Sequence, residues 1–143
     1  MKALAMKHEV SPSEEIFAAL QSTLDQIDVL GAHVLVAIYQ RPTVTKGGVH
    51  LPDKFKDEDI YQGKVGLVLK LGPLAFQEDE AHRWSAPATG SGSAGTGERV
   101  PTVGDWVAFR TSDGWPMILN EKHCRMVEDI NFRLILQQPD VVY

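Results

Sequence analysis

Lys64-Val65-Gly66-Leu67-Val68-Leu69-Lys70-Leu71 is the stretch on which the fold class turns. Its side chains alternate, which places Val65, Leu67, Leu69 and Leu71 on one face and Lys64, Gly66, Val68 and Lys70 on the other. A period of two is the signature of a strand, and Gly72-Pro73 ends it. Upstream, Val34-Leu35-Val36-Ala37-Ile38-Tyr39 is an apolar, β-branched run short enough to be a strand buried on both faces. Downstream, residues 106–109 follow the turn Val103-Gly104-Asp105, and residues 115–119 follow Ser112-Asp113-Gly114. Residues 124–127 and 132–136 close the series around the corner Glu128-Asp129. Trp106 and Trp115 lie within these patterns and are expected in the core. Short strands punctuated by Gly and Asp turns predict a mainly β fold, a small antiparallel barrel or sandwich.

The N-terminal part reads differently. Ser11-Pro12-Ser13-Glu14 combines a capping serine, a proline at the first helical position and an early carboxylate. Ile16, Leu20, Thr23, Leu24 and Ile27 follow at helical spacing, which predicts a helix over roughly residues 12–28. Its apolar stripe must be covered, either by this chain or by a neighbouring subunit. The expected organisation is an N-terminal helical extension, residues 1–30, followed by a β domain, residues 31–143.

Composition narrows the function. The chain has 143 residues, 43% of them apolar, enough for one ordinary core. Fourteen Lys and Arg stand against 19 Asp and Glu, for a net charge of -5. That balance argues against a general nucleic-acid binder, which needs a basic face to neutralise phosphates. A single cysteine, Cys124, precludes an intrachain disulfide and fits a reducing cytoplasm. No apolar run approaches the roughly 18–20 residues that span a bilayer, and the first residues lack the apolar stretch of a secretory signal. A soluble cytoplasmic protein is expected.

Motifs for chemistry are weak. Gly90-Ser91-Gly92-Ser93-Ala94-Gly95 fits a dinucleotide string, yet Pro87 and Pro101 flank it where a strand and a helix are required, so a tether is the better reading. His123 and Cys124 are adjacent and point to opposite faces of a strand, and the remaining histidines are scattered, so no metal site is expected. Cys124 alternates with Met126 and reads as a small core residue rather than a nucleophile. The acidic runs Asp57-Glu58-Asp59 and Glu78-Asp79-Glu80 read as solvated faces rather than paired catalytic acids. Two long polar stretches remain, residues 41–63 and 74–102, the second running through acidic residues into Gly/Ser. Within the first, Lys46-Gly47-Gly48-Val49-His50-Leu51-Pro52 sets apolar side chains on a segment otherwise suited to water. It either folds Val49 and Leu51 back onto the sheet or offers them to a partner's groove.

With these residues in order, the chain resembles the GroES family of co-chaperonins over roughly residues 29–137. Val29-Leu30-Gly31-Ala32-His33-Val34-Leu35-Val36 is similar to the family's opening strand, and Gly47-Gly48-Val49-His50-Leu51-Pro52 to its mobile-loop motif. Gly63-Lys64-Val65 through Gly72-Pro73, Val103-Gly104-Asp105-Trp106-Val107-Ala108-Phe109 and Glu128-Asp129-Ile130 resemble the strands and closing corner that follow. The resemblance implies an irregular β-barrel subunit in a seven-fold ring, a lid on a large ATP-hydrolysing chaperonin of the GroEL type that encloses folding client protein. It implies no cofactor, no metal and no catalysis by this chain. Gly47 and Gly48 would be hinges and Val49, His50 and Leu51 the partner contact. His50 departs from the family's apolar preference at that place, and the helix and the Gly/Ser stretch are additions, as in a divergent, phage-encoded relative. A virion or other structural assembly protein built on the same barrel is the alternative, with an enzyme third.

Overall fold

The computed structural model describes residues 11–40, 47–48, 50, 64–76 and 100–139. Helix α1 (Pro12–Leu24) is followed by six strands: β1 (His33–Ile38), β2 (Val65–Leu71), β3 (Trp106–Ala108), β4 (Trp115–Leu119), β5 (Lys122–Glu128) and β6 (Leu134–Leu136). A short 3-10 helix, Asp129–Asn131, makes the corner between the last two. The strands form one open sheet in the order β4-β5-β1-β2-β3-β6, and every neighbouring pair is antiparallel. The fold is mainly β with one helix.

β1 lies at the middle of the sheet, and its composition explains why. Leu35, Ala37 and Tyr39 face a core cluster with Leu20, Leu24, Val29, Leu67, Trp106 and Cys124. Val34, Val36 and Ile38 face a second cluster with Val68, Phe76, Val107, Phe109, Val127 and Phe132. A strand apolar at every position from Val34 to Ile38 is stable only where both faces are covered. On the second face the cover is aromatic: Phe132 packs edge-on to Phe109 at 5.9 Å between ring centroids and tilted to Phe76 at 6.1 Å.

The first face is covered by α1. Leu20 and Leu24 are buried under it, so this chain covers its own helix stripe. Each leucine removed from water contributes about 1.5–3 kcal/mol. The helix begins at Pro12 as the sequence predicts, but Ser11 makes no side-chain cap; Pro12, Glu14 and Glu15 mark the start instead. It ends at Leu24, short of the expected 28. Asp25, Gln26 and Ile27 turn the chain through bonds to Gln21, Thr23 and Leu24, and Lys70 Nζ donates to the Ile27 carbonyl at 2.5 Å. Those bonds bring Val29 down onto the sheet.

β2 departs from the simple alternation. Its register against β1 slips between Leu35 and Val36, which pair with Lys70 and Val68 and leave Leu69 as an extra residue. After this bulge the faces exchange. Val65, Leu67 and Leu69 face the helix side, while Leu71 packs with Val68 on the aromatic side, so the four residues 65, 67, 69 and 71 do not share a face.

Strand ends also shift. β3 stops at Ala108 although Phe109 is buried, β5 starts earlier than expected at Lys122, and β6 begins at Leu134 rather than at Phe132. A larger difference concerns the tryptophans. Trp106 is 6% exposed, but Trp115 is 73% exposed. Trp115 belongs to β4, an edge strand with a neighbour on one side only, and beside it sit exposed Pro116 and Ile118. Edge position, not strand pattern, decides burial there.

Candidate partner-binding segment

Segment 41–63 joins β1 to β2. On the β1 side the Tyr39 amide donates to the Val65 carbonyl at 2.9 Å, and on the β2 side the Lys64 carbonyl accepts the Phe109 amide at 2.9 Å. Tyr39 is buried and meets Trp106 edge-on at 5.5 Å between centroids. The residues bounding the segment are therefore fixed by ladder bonds and by the core.

Within it, Gly47, Gly48 and His50 are exposed. Gly48 has φ +86, a conformation that L side chains rarely adopt, and a Cβ built there meets no described atom within 4 Å. The backbone conformation alone calls for glycine at this position. Val49 and Leu51, the apolar pair of the motif, lie outside the described residues, as do most of 41–63 and the Gly/Ser and acidic runs of 77–99.

The other candidates resolve on geometry. Cys124 faces the helix-side cluster, while His123 pairs with Ile118 and, one residue along the strand, faces the other side. Burial pushes the Cys124 thiol up to about 12, which leaves almost no thiolate near neutral pH. Among the described residues no group of three or more His, Cys, Asp or Glu could hold a metal ion, and no helix is long and apolar enough to cross a membrane.

Two structural anchors were not apparent in sequence. Asp129 is fully buried; its Oδ2 accepts the Phe76 amide at 3.0 Å and its own amide donates to the Ala32 carbonyl. It ties the turn after β2 to the start of β1. Arg125, 5% exposed, donates to the Thr111 carbonyl at 2.7 Å and stacks 5.7 Å from the Phe109 ring centroid. An acidic residue at a corner and an arginine between Cys124 and Met126 carry no distinct signal of burial.

No protein-family model matches the sequence, and no curated protein matches it.

Proposed function

We propose that this chain is a co-chaperonin lid of the GroES type, a divergent, phage-encoded member acting in the host cytoplasm. Its partner is a large ATP-dependent chaperonin ring, engaged through Gly47, Gly48, Val49, His50 and Leu51. On this reading the aromatic cluster of Phe76, Phe109 and Phe132 is the interior of an irregular barrel, and the subunits close into a homo-heptameric ring around folding client protein. One observation carries it: the resembling motifs fall on successive elements of an antiparallel sheet, with Gly47-Gly48 between β1 and β2 and Gly48 at φ +86.

The physics of such a contact is favourable. A segment ordered on binding costs about 1–2 kcal/mol per residue in backbone entropy, so one copy binds weakly. Several copies on one ring gain by effective concentration, and release stays possible. The chain itself binds no nucleotide and catalyses no reaction.

The test is capture of a bacterial chaperonin ring by the tagged chain with nucleotide present, beside native mass spectrometry of the chain alone. Capture together with a heptamer is expected, and Leu51→Asp should abolish capture while leaving the circular dichroism of the sheet unchanged, because an unpaired carboxylate cannot enter an apolar groove. A stable monomer at micromolar concentration, or unfolding of Leu51→Asp, would defeat the reading. Recovery of the chain only in an assembled particle would favour the structural-protein alternative.

A further inference from the structure

We propose that α1 is a strap holding the root of segment 41–63, so that lifting the helix loosens the points where that segment leaves and rejoins the sheet. The root consists of Tyr39, Lys64 and Val65, closed by the Tyr39 amide on the Val65 carbonyl and the Phe109 amide on the Lys64 carbonyl, both at 2.9 Å. Tyr39, Val65 and Trp106 belong to the cluster that Leu20 and Leu24 of α1 complete. The side-chain ties of the helix lie at this same end. Asn120 Nδ2, in the β4–β5 turn, donates to the Ala19 carbonyl at 2.6 Å, and Lys122 Nζ stands 3.8 Å from Glu15 Oε1. Lys122 is the first residue of β5, two positions before Cys124, which pairs with Ala37; continuing that antiparallel register sets Lys122 level with Tyr39.

The opposite end of the sheet is fastened by other means. There the Gly72 amide bonds the His33 carbonyl, the Leu74 amide bonds the Gly31 carbonyl, Asp129 joins Phe76 and Ala32, and Lys70 Nζ holds the Ile27 carbonyl in the turn beyond α1, a bond that does not depend on the helix itself. Elements held to a core by few contacts open at lower free energy than the sheet they cover. Undocking α1 therefore exposes the Tyr39 end first and leaves the Gly72 end closed. Any effect on partner capture rests on the lid reading; the coupling of α1 to the root does not.

Backbone amide hydrogen exchange on the full chain tests this, comparing wild type with Leu20→Ala and Asn120→Ala. In Leu20→Ala the Tyr39 and Phe109 amides should exchange at least about tenfold faster, since truncating a buried leucine is worth more than a tenfold change in an equilibrium. Asn120→Ala removes an exposed tie outside the core and should accelerate the same two amides about threefold to tenfold. The Gly72 and Asp129 amides should stay within about twofold in Asn120→Ala. Equal acceleration at all four amides in that variant would mean global loosening and overturn the strap, as would no acceleration at Tyr39 and Phe109. A wild-type chain that captures no chaperonin would overturn the lid reading and leave the exchange result to decide the strap.

Discussion

Gly72→Ala isolates the cost of one close backbone approach. A Cβ on Gly72 would lie 2.2 Å from the Gly31 carbonyl oxygen and 3.0 Å from the carbonyl oxygens of His33 and Leu30. Real Cβ atoms essentially never approach another atom under 3.0 Å, so the two backbones must part by roughly 0.8 Å. The same oxygens accept the Leu74 amide at 3.0 Å and the Gly72 amide at 2.8 Å, and separation weakens both bonds. Overpacking of this kind costs about 1–3 kcal/mol, and each weakened hydrogen bond adds up to about 1 kcal/mol. A total near 2–5 kcal/mol corresponds to a fall in Tm of roughly 6–18 °C for a chain of this size. Gly104→Ala is the control. Gly104 has φ +96 with no atom near its Cβ position, so only backbone strain is charged, about 1–2 kcal/mol. Thermal unfolding followed by circular dichroism should rank wild type above Gly104→Ala and Gly104→Ala above Gly72→Ala. A Gly72→Ala protein melting within about 2 °C of wild type, or above Gly104→Ala, would show that the two backbones do not meet as described.

Burial of the Cys124 thiol raises its pKa from 9.0 to about 12, so at pH 8 its alkylation should run about a thousandfold slower than that of a free thiol until the chain unfolds. The folded state keeps this proton longer than the unfolded chain does. The associated stability is therefore full below pH 9 and lost as pH rises towards 12, and Cys124→Ala should flatten that part of a urea-midpoint profile. Trp106→Ala should cost about 3–5 kcal/mol, whereas Trp115→Ser at the exposed edge should cost no more than about 0.5 kcal/mol in the same urea titration. Asp129→Ala leaves the buried Phe76 amide without its acceptor and should cost about 1–3 kcal/mol, with Asp129→Asn, which keeps an acceptor oxygen, closer to wild type by calorimetry.

The strands could be read from sequence because their apolar period is two and their turns carry Gly and Asp. The bulge at Leu69 could not. Nothing in Leu67-Val68-Leu69-Lys70-Leu71 distinguishes an extra residue from a regular one, since every position but Lys70 is apolar and each face has a core waiting for it. Trp115 was misleading for a related reason. Pattern reports that a residue lies on a strand, whereas burial depends on whether a neighbouring strand or helix covers it, and that is a property of sheet order. Pro116 beside it was the available cue, because proline within a strand marks an edge. The helix was legible from its start signals, but its end is set by tertiary bonds from Lys70 and by the descent of Val29 onto the sheet. Of the candidate partner-binding residues, the glycines stood out by type and Val49 and Leu51 as apolar side chains in a polar segment, whereas His50 entered only through the order of motifs along the chain.

Pro116 also limits how copies of this chain can join. A sheet open at both edges can, in principle, be extended indefinitely, each copy adding its last strand to the first of the next, which is the geometry of a fibre. On an edge strand the proline nitrogen points away from its paired neighbour, so β4 presents a ring carbon where an incoming strand needs a donor. β6, at the other edge, has no such block between Leu134 and Leu136. Of the two edge strands, β4 is therefore the one blunted by a proline. Strand addition through β4 gives up a backbone donor at Pro116, so a continuous sheet running from copy to copy through that edge lacks one of its ladder bonds.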